Sequence, residues 1–314
     1  MTAPIPIEKV FEENRGFLRA LLYRMTGSIA DAEDILQETF VRMMERPPRD
    51  QLRPLRPWAT RVAMNLACDL LRKRRRRRVN FHWLPSPLGF GEGDAVATEP
   101  PDRAPDPQRH HELTENVSYA FLIAMESLTA QQRAVLLLRD VLDYTVRETA
   151  QALGLRPDNV KTTHLRARRV LQQRTSNVVP ARPDTRSRRV LEQFLDGLAR
   201  GDAAGVENLL AEDVVALSDG GGMYHAAHVP VLGRDRVLRL LSGLSARMGG
   251  TPRFVMTTLN GLPAVIGERI DEPPKGFARR FVLLAEIDVE LRIRRIYSVL
   301  DPRKLRGIRW ELLR

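Results

Sequence analysis

The sequence predicts a multidomain protein in which two small all-α domains, joined by a linker, are followed by an α+β domain. Apolar residues recur at three- and four-residue steps up to about residue 78 and again from about 112 to 174, as amphipathic helices require. The segment between these patterns is rich in proline and glycine and lacks sustained periodicity, which is typical of a linker. After residue 182, helical patterns mix with short strand-like runs. The expected boundaries are 1–78, 79–111 for the linker, 112–175 and 182–314.

Three helices are expected in the first domain. The first runs from Ile7 to Met25 and is broken by Gly27, the second begins near Ile29 and stops before Pro47, and the third follows Pro57. The second helix is expected to bury its apolar residues, which are Ile29, Ala32, Ile35, Leu36, Phe40, Met43 and Met44.

Residues 145–170 predict a helix-turn-helix. A short helix ends at Gly154, which can adopt the positive φ of a tight turn, and a second helix starts at Arg156-Pro157-Asp158. Val160 and Leu165 are expected to pack inward, and the polar side chains of this basic second helix suit the DNA major groove. An ordinary helical hairpin with a solvated basic face is the alternative. The residues expected to be exposed are Asn159, Lys161, Thr162, Thr163, Arg166 and Arg168.

Within that exposed set, residue type suggests two kinds of contact. Asn159, Thr163 and Arg166 can reach base edges, because amide, hydroxyl and guanidinium groups match their donors and acceptors. Lys161 and Arg168 are placed for phosphates.

An acidic stripe marks the predicted second helix. Asp31, Asp34 and Glu38 fall along one side of it, with Glu33 and Gln37 beside them. Acidic groups repel DNA, so the stripe suits a basic protein partner. Taken alone, it could equally be a solvated helix face.

The predicted third helix ends in a basic run. Asn65, Asp69, Arg72, Lys73 and Arg74 lie on it, and seven consecutive cations occupy positions 72–78. Such a run suits phosphate binding and implies steep salt dependence. Alone, it could also be a solubilising tail or bind any RNA.

Overall composition favours a polyanionic partner and a reducing compartment. The formal net charge is +11 and the hydrophobic fraction is 43%, enough for packed cores. No run of about 18 apolar residues exists to cross a membrane, and the N-terminus lacks an apolar signal core. The single cysteine, Cys68, excludes an internal disulfide and is expected to be a core residue. A cytoplasmic protein that acts without a membrane is expected.

The third domain is expected to be α+β. Its chemistry-bearing candidates are Asp219, His225 and His228, although the three glycines at 220–222 suggest a closely packed turn. His82, His110 and His111 lack metal-ligand spacing, so neither metal nor cofactor is expected. The predicted helices lie at about 185–200, 202–211 and 233–247, and the predicted strands at 214–217, 254–259, 264–269, 281–287 and 291–299.

Residues 5–175 resemble an extracytoplasmic-function sigma factor of bacterial RNA polymerase. The stretch from Asp31 to Glu38 resembles the region 2 helix that docks on the clamp coiled coil of core RNA polymerase. The helix from Trp58 to Arg72 resembles the segment that melts and reads the promoter −10 element, and the helix-turn-helix resembles region 4, which reads the −35 element. The resemblance implies two all-α sigma domains.

The roles that this resemblance implies are specific. Asn65 would capture a flipped base, with Asp69 on the same helix, and Arg72, Lys73 and Arg74 would hold strand phosphates. The polymerase-binding residues would be Asp31, Asp34, Gln37 and Glu38, and the −35 residues those of the helix-turn-helix. Such factors carry out no covalent chemistry of their own.

Residues 182–314 resemble a SnoaL-like cone domain, which a subset of these sigma factors carries. The family signatures appear in altered form: Trp83–Pro87 has serine where glutamate is usual, residues 219–223 end in methionine instead of lysine, and residues 301–305 begin with aspartate instead of asparagine. In that subset the extension touches the linker and tunes sigma activity. The implied regulatory contact comprises Trp83, Pro85, Asp219, Gly220, Gly221, Gly222, Asp301 and Lys304.

A second hypothesis comes from another class of protein. The chain could be a one-component DNA-binding regulator whose C-terminal cone binds or converts a small apolar ligand. The promoter-melting helix argues against it, because an ordinary repressor does not need one.

Overall fold

The computed structural model describes residues 7–45, 55–77, 83–89, 118–175, 185–248 and 252–313. The chain divides into two compact units: Met1–Arg78 with Glu92–Val178, and Val79–Gly91 with Val179–Arg314. The short segment 83–89 therefore belongs to the C-terminal unit, although it lies between the two helical parts in sequence. The rest of the expected linker and its histidines, His82, His110 and His111, lie outside the described residues.

Three helices form the first half of the first unit: α1 (Ile7–Thr26), α2 (Ile29–Glu45) and α3 (Arg56–Arg77). Gly27 takes a φ of 65° between α1 and α2. Thr26 closes the turn, because its hydroxyl donates to the Leu22 carbonyl at 2.8 Å. The helices share a buried core that includes Leu22, Leu36 and Met64. All three expected helices are present.

The second half of this unit is also helical. It contains α4 (Tyr119–Met125), α5 (Ala130–Leu136), a π-helical turn (Leu137–Val141), α6 (Val146–Leu153) and α7 (Pro157–Thr175). Reciprocal side-chain caps begin α5 and α6: Thr129 pairs with Gln132, and Thr145 pairs with Glu148. The expected helix-turn-helix is confirmed, with Gly154 at φ 65° after α6.

The two helical halves of the first unit pack on each other through α3, which contacts α5 and α6. Arg133 of α5 is buried at this junction, where it pairs with Glu126 at 2.6 Å and donates to the Met25 carbonyl at 3.3 Å. A buried cation requires such partners, since an unpaired one would lose its hydration without compensation. This contact joins residues 108 positions apart in sequence.

The second unit has helices on one face of a six-stranded sheet. The helices are α8 (Thr185–Arg200), α9 (Ala203–Leu209) and α10 (Arg234–Met248). The strands are β1 (Leu210–Asp219), β2 (Val231–Leu232), β3 (Arg253–Leu259), β4 (Leu262–Glu268), β5 (Arg280–Ile287) and β6 (Ile293–Val299). A 3₁₀ turn, Trp310–Leu313, follows.

The sheet order is β2-β1-β6-β5-β4-β3. Neighbouring strands are antiparallel except β1 and β6, which run parallel. The first and last strands of the domain in sequence, β1 and β6, are neighbours in the sheet, so their pairing joins the N-terminal and C-terminal parts of the domain. The α+β architecture expected from the sequence is confirmed, and β1 is longer than the expected strand 214–217.

Two burial predictions are wrong. Met44 was expected in the core but is 48% exposed, and Leu165 was expected to pack inward but is 60% exposed. In α7 the inward position belongs to Ala167, which is fully buried. Both errors have the same cause: an apolar residue near the edge of a helical stripe was assigned to the core by type, and the helix rotation places it outside.

Candidate functional site

The acidic stripe on α2 separates into two groups. Asp34, Gln37 and Glu38 are exposed in a row, and Glu38 pairs only locally, with Arg42 at 2.8 Å. Asp31 differs, because it is half-buried and forms an ion pair with Arg74. The exposed acidic patch is therefore Asp34, Gln37 and Glu38, while Asp31 also ties the start of α2 to the end of α3.

The exposed face of α2 continues beyond its charges. Val41 is 40% exposed and Met44 is 48% exposed, one and two turns after the acidic patch. Protein interfaces commonly combine an apolar centre with a polar rim, and this face of α2 offers both. Sequence reasoning missed this apolar half because it assigned Met44 to the core.

The expected −10 residues lie on the exposed side of α3. Asn65, Asp69, Arg72 and Lys73 are exposed there, and Arg72 donates to Asp69 at 3.0 Å. Arg74 points elsewhere: it donates to the Thr26 carbonyl at 3.0 Å and to Asp31. The structure thus brings four of the five −10 candidates together and gives Arg74 a contact to the α1–α2 turn.

The recognition helix α7 presents a polar face to solvent. Asn159, Lys161, Thr162, Arg166 and Arg168 are exposed, and Thr163 is half-buried. Two of them carry local bonds: Lys161 lies 3.5 Å from Asp158, and the Thr162 hydroxyl donates to the Asp158 carbonyl at 3.0 Å. Five of the six −35 candidates are therefore exposed: Asn159 and Arg166 lie along one edge of the outward side of α7 and Lys161 and Arg168 along the other, while Thr163 is half-buried.

Asp140, in the π-helical turn, orients part of α7. Its carboxylate accepts from the Arg168 Nε at 3.0 Å, and its other oxygen lies 2.7 Å from the His164 Nε2. Sequence reasoning missed Asp140 and His164, since no local spacing links positions so far apart. Their effect is to hold the Arg168 side chain at the edge of the exposed face.

A second site lies within the C-terminal unit, where segment 83–89 meets the end of β1. The Leu84 amide donates to Asp219 Oδ2 at 2.8 Å, and Lys304 Nζ donates to the Leu84 carbonyl at 2.7 Å. Lys304 also forms an ion pair with Asp219. We call Leu84, Asp219 and Lys304 the linker anchor.

The linker anchor is buried. Leu84 is 2% exposed, and the side chains of Asp219 and Lys304 are 5% and 6% exposed. Lys304 Nζ lies 4.2 Å from the centre of the Trp83 ring, close enough for a cation–π contact. Each charge therefore has an opposite charge and a backbone partner, which is the condition for burying an ion pair without a large penalty.

A second pair of bonds holds the other end of the segment. The Asn260 side-chain oxygen accepts a hydrogen bond from the Leu88 backbone amide at 2.7 Å. The Asn260 backbone amide donates to the Leu88 carbonyl at 2.8 Å. Asn260 has a φ of 47°, a conformation that asparagine tolerates better than most residues. Sequence reasoning missed Asn260, which no motif marked.

The glycines after Asp219 form the turn that the anchor requires. Gly221 has a φ of 61°, and a Cβ there would lie 2.4 Å from the Asp301 carboxyl carbon. Its amide donates to Asp219 Oδ1 at 2.9 Å. Asp301 in turn accepts from the Arg303 amide at 3.0 Å and so begins the loop that carries Lys304. The expected regulatory residues are therefore brought together, with Pro85 buried in the same segment.

A cluster of buried apolar side chains lies between the sheet and its helices, among them Phe194, Val265 and Ile296. Asp219 belongs to the linker anchor instead, and His225 packs against Phe277 with ring centres 5.2 Å apart. Both His225 and the third candidate, His228, are exposed.

Two features of the described residues bear on other functions. No group of three or more histidine, cysteine, aspartate or glutamate side chains is arranged there to hold a metal ion. None of the helices described combines the length and apolar character needed to cross a membrane.

Comparisons with known proteins agree with this geometry. The family model "Sigma-70 region 2" matches residues 10–77 and "Sigma-70, region 4" matches residues 120–171. The ECF RNA polymerase sigma factor SigJ of Mycobacterium tuberculosis is 30% identical over 275 residues, which cover 84% of each chain. The sigma factor SigG of the same species is 33% identical over 278 residues, 81% of this chain and 70% of SigG.

The crystal structure of Mycobacterium tuberculosis SigJ has the same fold. It covers 96% of this chain and 98% of its own, with a TM-score of 0.67 and 24% identity. The sheet-bearing unit is therefore shared along with the helical unit. From the sequence relatives, the two region models and the exposed helices that they match, the chain belongs to the extracytoplasmic-function sigma factors of RNA polymerase.

Proposed function

We propose that this sigma factor is regulated within its own chain, through the linker anchor. The family places it among the proteins that direct core RNA polymerase to promoters. The observation that carries the regulatory proposal is the buried pairing of Lys304 with Asp219 and the Leu84 carbonyl. This pairing holds a piece of the tether between the two promoter-binding helical modules, so it limits how the tether can extend.

The roles of the exposed residues follow the two helical halves. Asp34, Gln37 and Glu38, with Val41 and Met44, would form the docking face for the basic clamp coiled coil of core polymerase. Asn65 would hold an unstacked base of the opened strand, and Arg72 and Lys73 its phosphates. As an initiation factor, the chain would bind and open promoter DNA, and the polymerase would carry out all covalent chemistry. Its place of action would be the cytoplasm, where its DNA lies.

On α7, Asn159 and Arg166 would read base edges, and Lys161 and Arg168 would contact phosphates. The exposed Leu165 adds an apolar contact that suits the methyl group of thymine. The alternative, a one-component regulator with an apolar ligand in its cone, is disfavoured by the match of residues 10–77 to sigma-70 region 2, because an ordinary repressor does not need a promoter-melting helix.

The first prediction tests the linker anchor with Lys304→Met. Methionine keeps most of the apolar stem but leaves the buried Asp219 carboxylate without its cation, which typically costs about 3–5 kcal/mol. We expect transcription by core polymerase from a promoter selected by the unaltered chain to change severalfold. Lys275→Met, which alters an exposed lysine of the same unit, is the matched control. Equal transcription by Lys304→Met and the unaltered chain would remove the anchor from regulation.

A further inference from the structure

The C-terminal unit carries an open groove at the end of the sheet where β4 ends and β5 begins. Its volume is about 710 Å³, and its lining includes Tyr224, Glu268, Arg279, Arg280, Arg306 and Trp310. We call these residues the arginine groove. They take no part in the linker anchor or in the apolar cluster between sheet and helices. The groove is therefore a separate feature that the proposed function does not use.

The groove carries a net positive charge, and a carboxylate holds two of its arginine side chains in place. Glu268 accepts from the Arg280 Nε at 2.9 Å and pairs with the Arg279 Nε at 3.5 Å. One carboxylate thus orients two guanidinium groups and cancels only one of their charges. The side chains of Arg279 and Arg280 remain 60% and 50% exposed, and Arg306 is exposed nearby. Oriented guanidinium groups bind the oxygen atoms of phosphate in paired hydrogen bonds.

Aromatic rings form the other part of the lining. The Arg280 guanidinium carbon lies 4.7 Å from the centre of the Trp310 ring, so the cation and the indole fix each other. Tyr224 supplies a second ring. A planar heterocycle stacks on such rings, while an attached anionic group can reach the arginines. The volume also lies within the range of about 300–1,000 Å³ that small-molecule sites occupy.

We propose that the arginine groove binds a nucleoside monophosphate, with the phosphate on Arg279 and Arg306 and the base against the aromatic rings. The ligand combines the two features that the lining requires, a planar ring and a compact anion. Binding at this groove stands whether or not the linker anchor regulates transcription, because the two sites share no residue.

The test is isothermal titration of the full chain with AMP, GMP, adenosine and inorganic phosphate. We expect AMP or GMP to bind with one-to-one stoichiometry, at least tenfold more tightly than adenosine or phosphate alone. Arg279→Ala and Arg306→Ala should each weaken that binding by about tenfold, since each removes a charge-assisted contact. Arg247→Ala, an exposed arginine on α10, should bind like the unaltered chain.

Three outcomes would overturn the proposal. They are no binding of either nucleotide at millimolar concentration, equal affinity for AMP and adenosine, and unaltered binding by both groove variants. A single-stranded oligonucleotide serves as an additional arm. If mononucleotides do not bind and Arg279→Ala and Arg306→Ala weaken oligonucleotide binding, the proposal is also overturned, because the groove would then be a DNA contact. Thermal unfolding of each variant establishes that the fold is retained.

Discussion

Asp34 is an exposed acidic residue on α2. By contrast, Asp31 on the same stripe is engaged by Arg74. We expect Asp34→Arg to weaken binding to core polymerase at least tenfold, since it places a cation opposite a basic surface. Glu13→Arg, on an exposed position of α1, is the control. Anisotropy of labelled protein titrated with core polymerase measures both, and similar affinities for the two variants would argue against this docking face.

Cys68 is the buried thiol of α3. It is 5% exposed, and burial raises its pKa to about 11, with nearby Arg72 lowering it in part. The folded state therefore keeps the thiol proton more strongly than the unfolded state, whose pKa is near 9. Stability from this group is fully present below about pH 9 and is lost as the pH rises through 11.

We accordingly expect the free energy of unfolding to fall between pH 9 and 11, and Cys68→Ala to reduce this fall. Urea unfolding at several pH values measures it. At pH 8 the folded chain should react slowly with a thiol reagent and the unfolded chain rapidly. Rapid labelling of the folded chain would contradict the buried position.

At the scale of elements, α7 combines base reading with phosphate contact. Arg166→Ala should reduce discrimination at one base pair of the −35 element by roughly 1–3 kcal/mol. Asp140 orients the Arg168 side chain. Arg168→Ala should weaken binding to all DNA sequences alike and lower the slope of the logarithm of the binding constant against the logarithm of salt concentration by about one. Binding to a set of single-base −35 variants at several salt concentrations separates the two effects. A uniform loss for Arg166→Ala would reassign it to phosphate contact.

The helices and strands were largely predictable because their patterns are local. Gly154, the capping residues and the apolar spacing fix α6 and α7 within a few residues of each other in sequence. Which face of a helix is covered depends on its neighbours, and so Met44 and Leu165 were misplaced. Asp140 and Asn260 were missed for a related reason: their roles come from partners 28 and 172 residues away.

At the scale of the whole molecule, the motifs around Asp219 and Lys304 indicated which residues meet, but only through a family resemblance. No spacing rule joins Leu84 to Lys304 across 220 residues. The arginine groove gave no sequence signal at all, since its residues come from four separated stretches of chain. Long-range pairings of this kind depend on which strands become neighbours in the sheet. Hydrophobic periodicity identifies each strand separately and does not predict those neighbours.

Removal of the C-terminal domain tests the same organisation on a larger scale. A chain cut after residue 180 retains both helical modules but loses Asp219, Asn260 and Lys304, the partners of segment 83–89. We expect its transcription to change in the same direction as that of Lys304→Met, and by at least as much. In vitro transcription at equal protein concentration measures this. If truncation and Lys304→Met changed transcription in opposite directions, the domain would act on transcription by a route other than the linker anchor.

The distance in sequence between Leu84 and Lys304 has a consequence for the newly made protein. The ribosome polymerises the tether 220 residues before the lysine that fastens it. At about 5–20 residues per second, the interval is on the order of 10–45 s. Both helical modules are complete once Thr175 has been added, and Lys304, which fastens the segment between them, still lies 129 residues further along the chain. Each nascent molecule therefore passes through a period in which both helical modules exist and the linker anchor cannot yet form.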